Sequence, residues 1–394
     1  MSSWLKKQEL EEPSLASTWV ELDNLLSNNL YFQFTELLSS IRRHPSFQHD
    51  TKLVDLYTGL LRPLLRHIDL LIVAGFVLEA AAQVGATKGL QSRLDFLLET
   101  VNDFQECGQA DIQALMVLKS AVAGALVELH RLSAACTLIE EIQASVSASK
   151  TPVDHSVSAA LETTLASYCL ARGDYDGYYD HSMLRLAFMD ASEFTAMDDA
   201  TALSVAVDVA QAAMVGSRSF SFHSLATHPL MTRVRGSRFS WLAALVDAFA
   251  AADLNTFEKL RPEFIRESPL LAHKVRVLDA KIRILVITEM VLARPGFDRA
   301  MNISELAKTV GLSEVQVELL LLKAFEIGAL DGVIDPLKGT VNITRVLPRD
   351  LTKLQIQNEL LPQFSIWISR VEDTLHTLKG VGADMSSKMS AMSL

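Results

Sequence analysis

Residues 301–348 read MNISELAKTVGLSEVQVELLLLKAFEIGALDGVIDPLKGTVNITRVLP, and this stretch decides the fold. Asn302 and Glu305 have the spacing that caps a helix start, and Ile303, Leu306, Ala307 and Val310 fall at i, i+3, i+4 and i+7, one buried helical face. Gly311-Leu312-Ser313 turns the chain. Ser313 with Gln316 offers a capping box for a second helix running to Ile327, which Gly328 can end in the left-handed conformation. Val333-Ile334-Asp335, the turn Pro336 to Gly339 and the alternating run Thr340 to Val346 predict a two-stranded wing. Together these elements make a small winged helix, a module that either reads DNA or joins proteins.

Charge separates the two uses. A DNA-reading helix brings Lys or Arg to phosphates and base edges. Here the second helix carries Glu314, Glu318 and Glu326 against Lys323. Across 301–348 six acidic residues (Glu305, Glu314, Glu318, Glu326, Asp331, Asp335) face four basic ones (Lys308, Lys323, Lys338, Arg345). Val317, Leu320, Leu321, Ala324 and Phe325 form one apolar face, and Leu319 and Leu322 point elsewhere. A helix apolar most of the way round is expected to be buried, not laid in a groove. Protein assembly is the better reading, and nucleic acid is not expected as a partner.

The rest of the 394-residue chain supports a protein-binding role. Its 49% hydrophobic and 21% charged content is that of a globular protein, and its formal net charge of −11 disfavours polyanions and membrane surfaces. Cys107, Cys136 and Cys169 lie far apart without CxxC spacing and suit buried thiols in a reducing compartment. The start, MSSWLKKQELEEP, lacks an apolar secretory core. Leu70 to Leu78 and Ile284 to Ala293 fall short of the roughly 20 residues a membrane span needs. A soluble intracellular protein is expected.

From about Ala16 to Met290 the period is helical. Stripes run through Leu22, Leu25 and Leu26; through Leu53 to Leu65, broken by Pro63; through Leu94, Leu97 and Leu98; through Leu115 to Leu132; and through Leu161, Leu165 and Tyr168. Short connectors such as Arg172-Gly173-Asp174 separate them. The pattern predicts a mostly α chain: a right-handed arc of antiparallel helical hairpins over 16–217 after an N-terminal tail, 1–15. A further module follows over 218–348, helical to 300 and winged from 301. A basic helix precedes the wing, with Val275, Leu278, Ile282 and Leu285 facing inward. Lys274, Arg276, Lys281 and Arg283 are expected to project outward as a possible docking face for an acidic neighbour.

A terminal helix is expected over 349–379. Leu361, Phe364, Ile368, Val371, Leu375 and Leu378 alternate in steps of three and four, a heptad seam suited to a partner's helix, with Pro362 marking a break or fresh start. The remainder, 380–394, is small, polar and Met-spotted, and is expected to be a flexible tail. The wing edge Thr340, Asn342 and Thr344 is expected to be open to a partner's sheet. Catalytic patterns are missing: no HExxH, GxSxG, GxxxxGK[ST] or GxGxxG occurs. No enzyme activity, metal or cofactor is expected.

Helical hairpins leading to a winged helix and a terminal helix resemble the PCI architecture. The residues that narrow the resemblance are His228-Pro229, Trp241-Leu242, Ala248-Phe249, Phe257, Lys281-Ile282, Glu289-Met290, Arg294-Pro295, Ile303 to Lys308, Glu314 to Leu320, Lys323-Ala324 and Gly332 to Asp335. Arg172 to Met189 is similar too. They resemble the proteasome non-ATPase regulatory subunit 13 family, most specifically over 218–348. After Phe249 this chain reads Ala250-Ala251-Ala252-Asp253, where the family usually has a glycine. The resemblance implies a non-catalytic scaffold subunit of the 26S proteasome lid, in the cytoplasm and nucleus, within a hetero-oligomer. It implies as partners other PCI subunits of the lid, the lid deubiquitinase module and the ubiquitin-receptor subunit. Competing readings are a PCI scaffold of the signalosome or of a translation initiation factor complex, and a winged-helix nucleic-acid-binding regulator.

Overall fold

The computed structural model describes residues 16–42, 52–107, 111–148, 152–189, 199–294, 299–347 and 361–392. The chain divides into two compact units, 1–201 and 202–394.

In the first unit, helices follow one another with short turns: α1 (Ala16–Ser27), α2 (Tyr31–Arg42), α3 (Lys52–Leu56), α4 (Leu70–Lys88), α5 (Leu90–Glu106), α6 (Ile112–Glu128), α7 (Leu132–Ala148), α8 (His155–Arg172) and α9 (Tyr175–Phe188). Sequence neighbours pack on each other from α4 to α9, and α6 also touches α8, the pattern of stacked hairpins. Aspartates start four of these helices. The carboxylates of Asp69, Asp111, Asp154 and Asp174 accept from Leu71 N (2.9 Å), Gln113 N (3.0 Å), Ser156 N (3.2 Å) and Gly177 N (3.1 Å), satisfying donors that no helical turn reaches. Gly173, at φ 81°, ends α8. Pro63 interrupts its stripe as expected: α3 runs into a π turn, Tyr57–Leu61, and a 3-10 turn, Arg62–Leu64. The helix α4 is long and apolar enough to cross a membrane, but Val73, Phe76, Val77, Ala80 and Ala81 are packed in the core here.

The second unit holds most of α10 (Asp199–Val215), then α11 (His223–Thr227), α12 (Pro229–Arg235), α13 (Ser240–Ala251), α14 (Leu254–Glu267), α15 (Pro269–His273) and α16 (Val275–Leu292). A chain of rings forms its middle: Phe222, Phe249, Phe257 and Phe264 stand 5.1, 5.6 and 5.7 Å apart in succession. All four are buried. The winged helix follows as β1 (Ala300–Asn302), α17 (Ile303–Val310), α18 (Glu314–Ile327), β2 (Leu330–Asp335) and β3 (Thr340–Val346).

Its local chemistry largely matches the sequence. Ile303, Leu306, Ala307 and Val310 are buried. Gly311 and Gly328 end their helices at φ 72° and 79°. Ser313 N donates to Gln316 Oε1 at 3.1 Å, one half of the capping box. Asn302 stands at the N-cap without a side-chain bond, and Glu305 instead meets Arg294 at 3.2 Å. The Asp335 carboxylate accepts from Leu337 N and Lys338 N (3.1 and 3.3 Å), setting the wing turn.

The sheet itself corrects one expectation. It has three strands in the order β1-β3-β2, all antiparallel. Ala300 and Asn302 pair with Asn342 and Thr340, while Val333 and Asp335 pair with the same two residues from the other side. Thr340 and Asn342 therefore lie on a central stretch paired on both sides and offer no edge to a partner's sheet, while Thr344 lies beyond the last β1 pair, at the register shift. A register shift at Asp331–Gly332 follows from a close approach: a Cβ on Gly332 would stand 2.5 Å from Asn342 O.

The last helix, α19 (Leu361–Met392), starts at Pro362's turn and runs 32 residues. It therefore passes through 380–392, the segment expected to be a flexible tail. Ala, Met, Ser and Lys there carry no proline, and single glycines weaken a helix without ending it. Residues 349–360 of the expected terminal element lie outside the described residues.

Candidate interaction surface

Two of the four cations expected on the outer face of α16, Lys281 and Arg283, are turned inward. Lys281 is 3% exposed, and its ammonium donates to Ala213 O (2.6 Å) and Gly216 O (2.8 Å). It also lies 5.5 and 5.0 Å from the ring centres of Phe220 and Phe222. A cation here neutralises the negative C-terminal end of α10 and satisfies carbonyls that no helical N–H reaches. Arg283 is half-buried and donates to Val310 O, doing the same for α17. Of the expected docking face, Lys274 and Arg276 are exposed. The physical reason is that α16 is packed nearly all round. Leu278, Ile282, Leu285, Ile284 and Ile287 are all buried, so a cation on such a helix must find carbonyls inside.

On α18 the outcome is divided. Val317, Leu320, Leu321 and Ala324 are buried, whereas Val315, Leu319 and Leu322 are 67%, 61% and 54% exposed. The expectation that a helix apolar on two sides is wholly buried fails. One side packs on the module and the other remains open. Beyond it, Val333 and the wing-tip Leu337 (97%) are exposed too, and Asn342 and Thr344 face outward from β3.

Among the described residues, the longest run of exposed apolar side chains lies on α19. Leu361, Phe364, Ile368, Val371, Leu375 and Leu378 are each exposed, as are Ile366 and Trp367. Trp367 lies three residues after Phe364 and four before Val371, so it widens the stripe beyond a two-stranded seam. Sequence reading found the six seam positions but passed over Trp367, whose spacing was there to see.

Chemistry-bearing groups do not gather. Among the described residues no cluster of three or more His, Cys, Asp or Glu has metal-binding geometry. Burial, and then Asp174, push the Cys169 thiol above its ordinary range, making it a poor nucleophile. Burial and then the Asp103 carboxylate keep the Tyr57 phenol protonated. Its hydroxyl meets Asp103 Oδ2 at 3.2 Å, and Arg62 bridges Asp103 (2.7 Å) and Glu99 (3.1 Å). That network ties the π turn to α5.

Comparison with known proteins agrees with this layout. Residues 18–246 match the family described as PSD13 N-terminal repeats, and 255–345 match the PCI domain. The 26S proteasome non-ATPase regulatory subunit 13 homolog B of Arabidopsis thaliana is 25% identical over 389 residues, spanning 97% of this chain and 98% of its own. The probable 26S proteasome regulatory subunit rpn9 of Schizosaccharomyces pombe is 27% identical over 362 residues, 90% of each chain. The 26S proteasome non-ATPase regulatory subunit 13 of Dictyostelium discoideum is 23% identical over 382 residues, 95% of each. With the repeat match alone covering more than half its length, the chain belongs to the 26S proteasome non-ATPase regulatory subunit 13 family.

Proposed function

We infer that this protein is a non-catalytic structural subunit of the 26S proteasome regulatory-particle lid, an assembly scaffold in ubiquitin-dependent degradation. It works in the cytoplasm and nucleus as part of a hetero-oligomer. Its neighbours are other PCI subunits of the lid, with contacts to the deubiquitinase module and the ubiquitin-receptor subunit. The observation that carries this reading is the α19 seam, six apolar side chains all open on the chain alone. The end-to-end match to relatives named as proteasome regulatory subunits supports it.

Burying such side chains is worth roughly 1.5–3 kcal/mol each. Six give on the order of 10 kcal/mol gross, against an association cost of about 4–15 kcal/mol. The seam alone therefore sits near the threshold of stable binding. A second contact, at the winged helix, would make incorporation tight through avidity.

The test replaces Ile368 and Val371 with Asp. Both side chains are about half exposed, so the isolated chain keeps its fold. Each buried carboxylate would cost the interface at least about 2 kcal/mol. Incorporation into the 26S particle, read on a native gel, is expected to fall at least tenfold. Incorporation at the wild-type level would refute the seam's role. Mass spectrometry of co-purified chains checks the complex itself: proteasomal ATPases are expected, and cullins or ribosomal proteins would overturn the assignment.

A further inference from the structure

The open side of α18 is a second apolar surface, distinct from the terminal seam. Val315, Leu319 and Leu322 fall at i, i+4 and i+7 and make one continuous stripe. At 100° per residue, Glu314 and Glu318 run along one border, Glu326 closes the C-terminal end, and Lys323 lies on the other border.

The carboxylates on this stripe differ from the rest of the module. Glu305, Asp331 and Asp335 are ion-paired with Arg294, Arg345 and Lys338. Glu314, Glu318 and Glu326 have no ion-pair partner among the described residues. Glu314 and Glu318 are one turn apart and repel each other, which weakens an isolated helix. An open apolar stripe with an unpaired acidic border is a surface complementary to something basic and apolar.

We propose that this stripe seats a helix of another polypeptide whose own apolar stripe is bordered on one side by Lys or Arg residues four positions apart. The inference rests on the chain's being an assembly subunit and specifies the chemistry of the neighbour at one surface. The chain's own α19 does not supply the complement: Arg370 is the single Lys or Arg between Leu361 and Leu378. Duplex DNA does not either, since three carboxylates would face its phosphates.

The full chain carrying the photo-crosslinker p-benzoylphenylalanine at Leu319, and separately at Val315, is incorporated into the 26S particle, purified and irradiated. The cross-linked peptide is then sequenced. A peptide from a different subunit, helical and with Lys or Arg four residues apart beside its apolar positions, is the expected result. A chain that incorporates without cross-linking, or that cross-links to its own 361–379 or to a peptide lacking basic pairs, overturns this inference and leaves the scaffold function standing. An unsubstituted chain that never enters the particle overturns both. In a second arm, Glu314→Lys with Glu318→Lys is expected to lower the cross-link yield at Leu319 about fivefold at low salt. An unchanged yield would show that the acidic border plays no part.

Discussion

Ala252 holds φ 53° and ψ 38° at the end of α13, a left-handed conformation that a Cβ disfavours. The resemblance implies a glycine in the loop after Phe249, and Ala252 is the residue of that loop with positive φ. Ala252→Gly is expected to stabilise the chain by about 1 kcal/mol, read by urea denaturation. His228 was legible only as a motif. In the structure its Nδ1 accepts from Leu230 N at 3.2 Å and caps α12, with Pro229 following. Burial holds its imidazole below the ordinary histidine range. The unfolded chain therefore takes up the proton at a higher pH than the folded one. The cap's contribution is present above the ordinary histidine pKa and declines as pH falls through it, levelling off below the folded value. His228→Asn, which keeps a capping oxygen, is expected to flatten this part of the stability–pH curve in thermal melts. Lys281 was misjudged, although it stands three residues after Leu278 and four before Leu285, inside the buried stripe. Charge alone suggested solvent, and the carbonyls awaiting it, Ala213 O in α10 and Gly216 O just past its end, are 68 and 65 residues away in sequence. Lys281→Met is expected to cost about 2 kcal/mol, because two carbonyl oxygens lose a charged donor.

Among elements, those built by local chemistry were the readable ones. The Ser313–Gln316 box, the left-handed Gly328 and the Pro336 to Gly339 turn marked α18 and the wing before any long-range contact was known, whereas the cap expected of Asn302 and Glu305 at the start of α17 is not formed. The strand β1 was missed because three residues show no alternation, and its pairing partner is some 40 residues on. Missing it made β3 look like an edge. Gly332 makes the resulting register testable. A side chain there meets the Asn342 carbonyl, so Gly332→Val is expected to cost about 1–3 kcal/mol. Faster amide exchange confined to β2 and β3 would locate the damage. The open face of α18 escaped prediction for a related reason. Periodicity shows that a helix is apolar on two sides, but which side its own domain covers depends on packing.

At the scale of the molecule, helical hairpins before a winged module were readable from period and connector spacing. What the chain withholds from solvent and what it leaves open were not. The terminal seam, α18 and the wing tip each leave large apolar side chains exposed, the mark of surfaces that bind other molecules. The isolated chain is expected to self-associate at micromolar concentration, more so at high salt. Ile368→Asp with Val371→Asp should shift it towards monomer in sedimentation velocity. A copy synthesised in excess of its partners carries that bare helix through the cell, where chaperones and degradation machinery recognise greasy segments. The steady-state abundance of this subunit should then be capped by that of its partners, with surplus copies destroyed by the machine they were made to join.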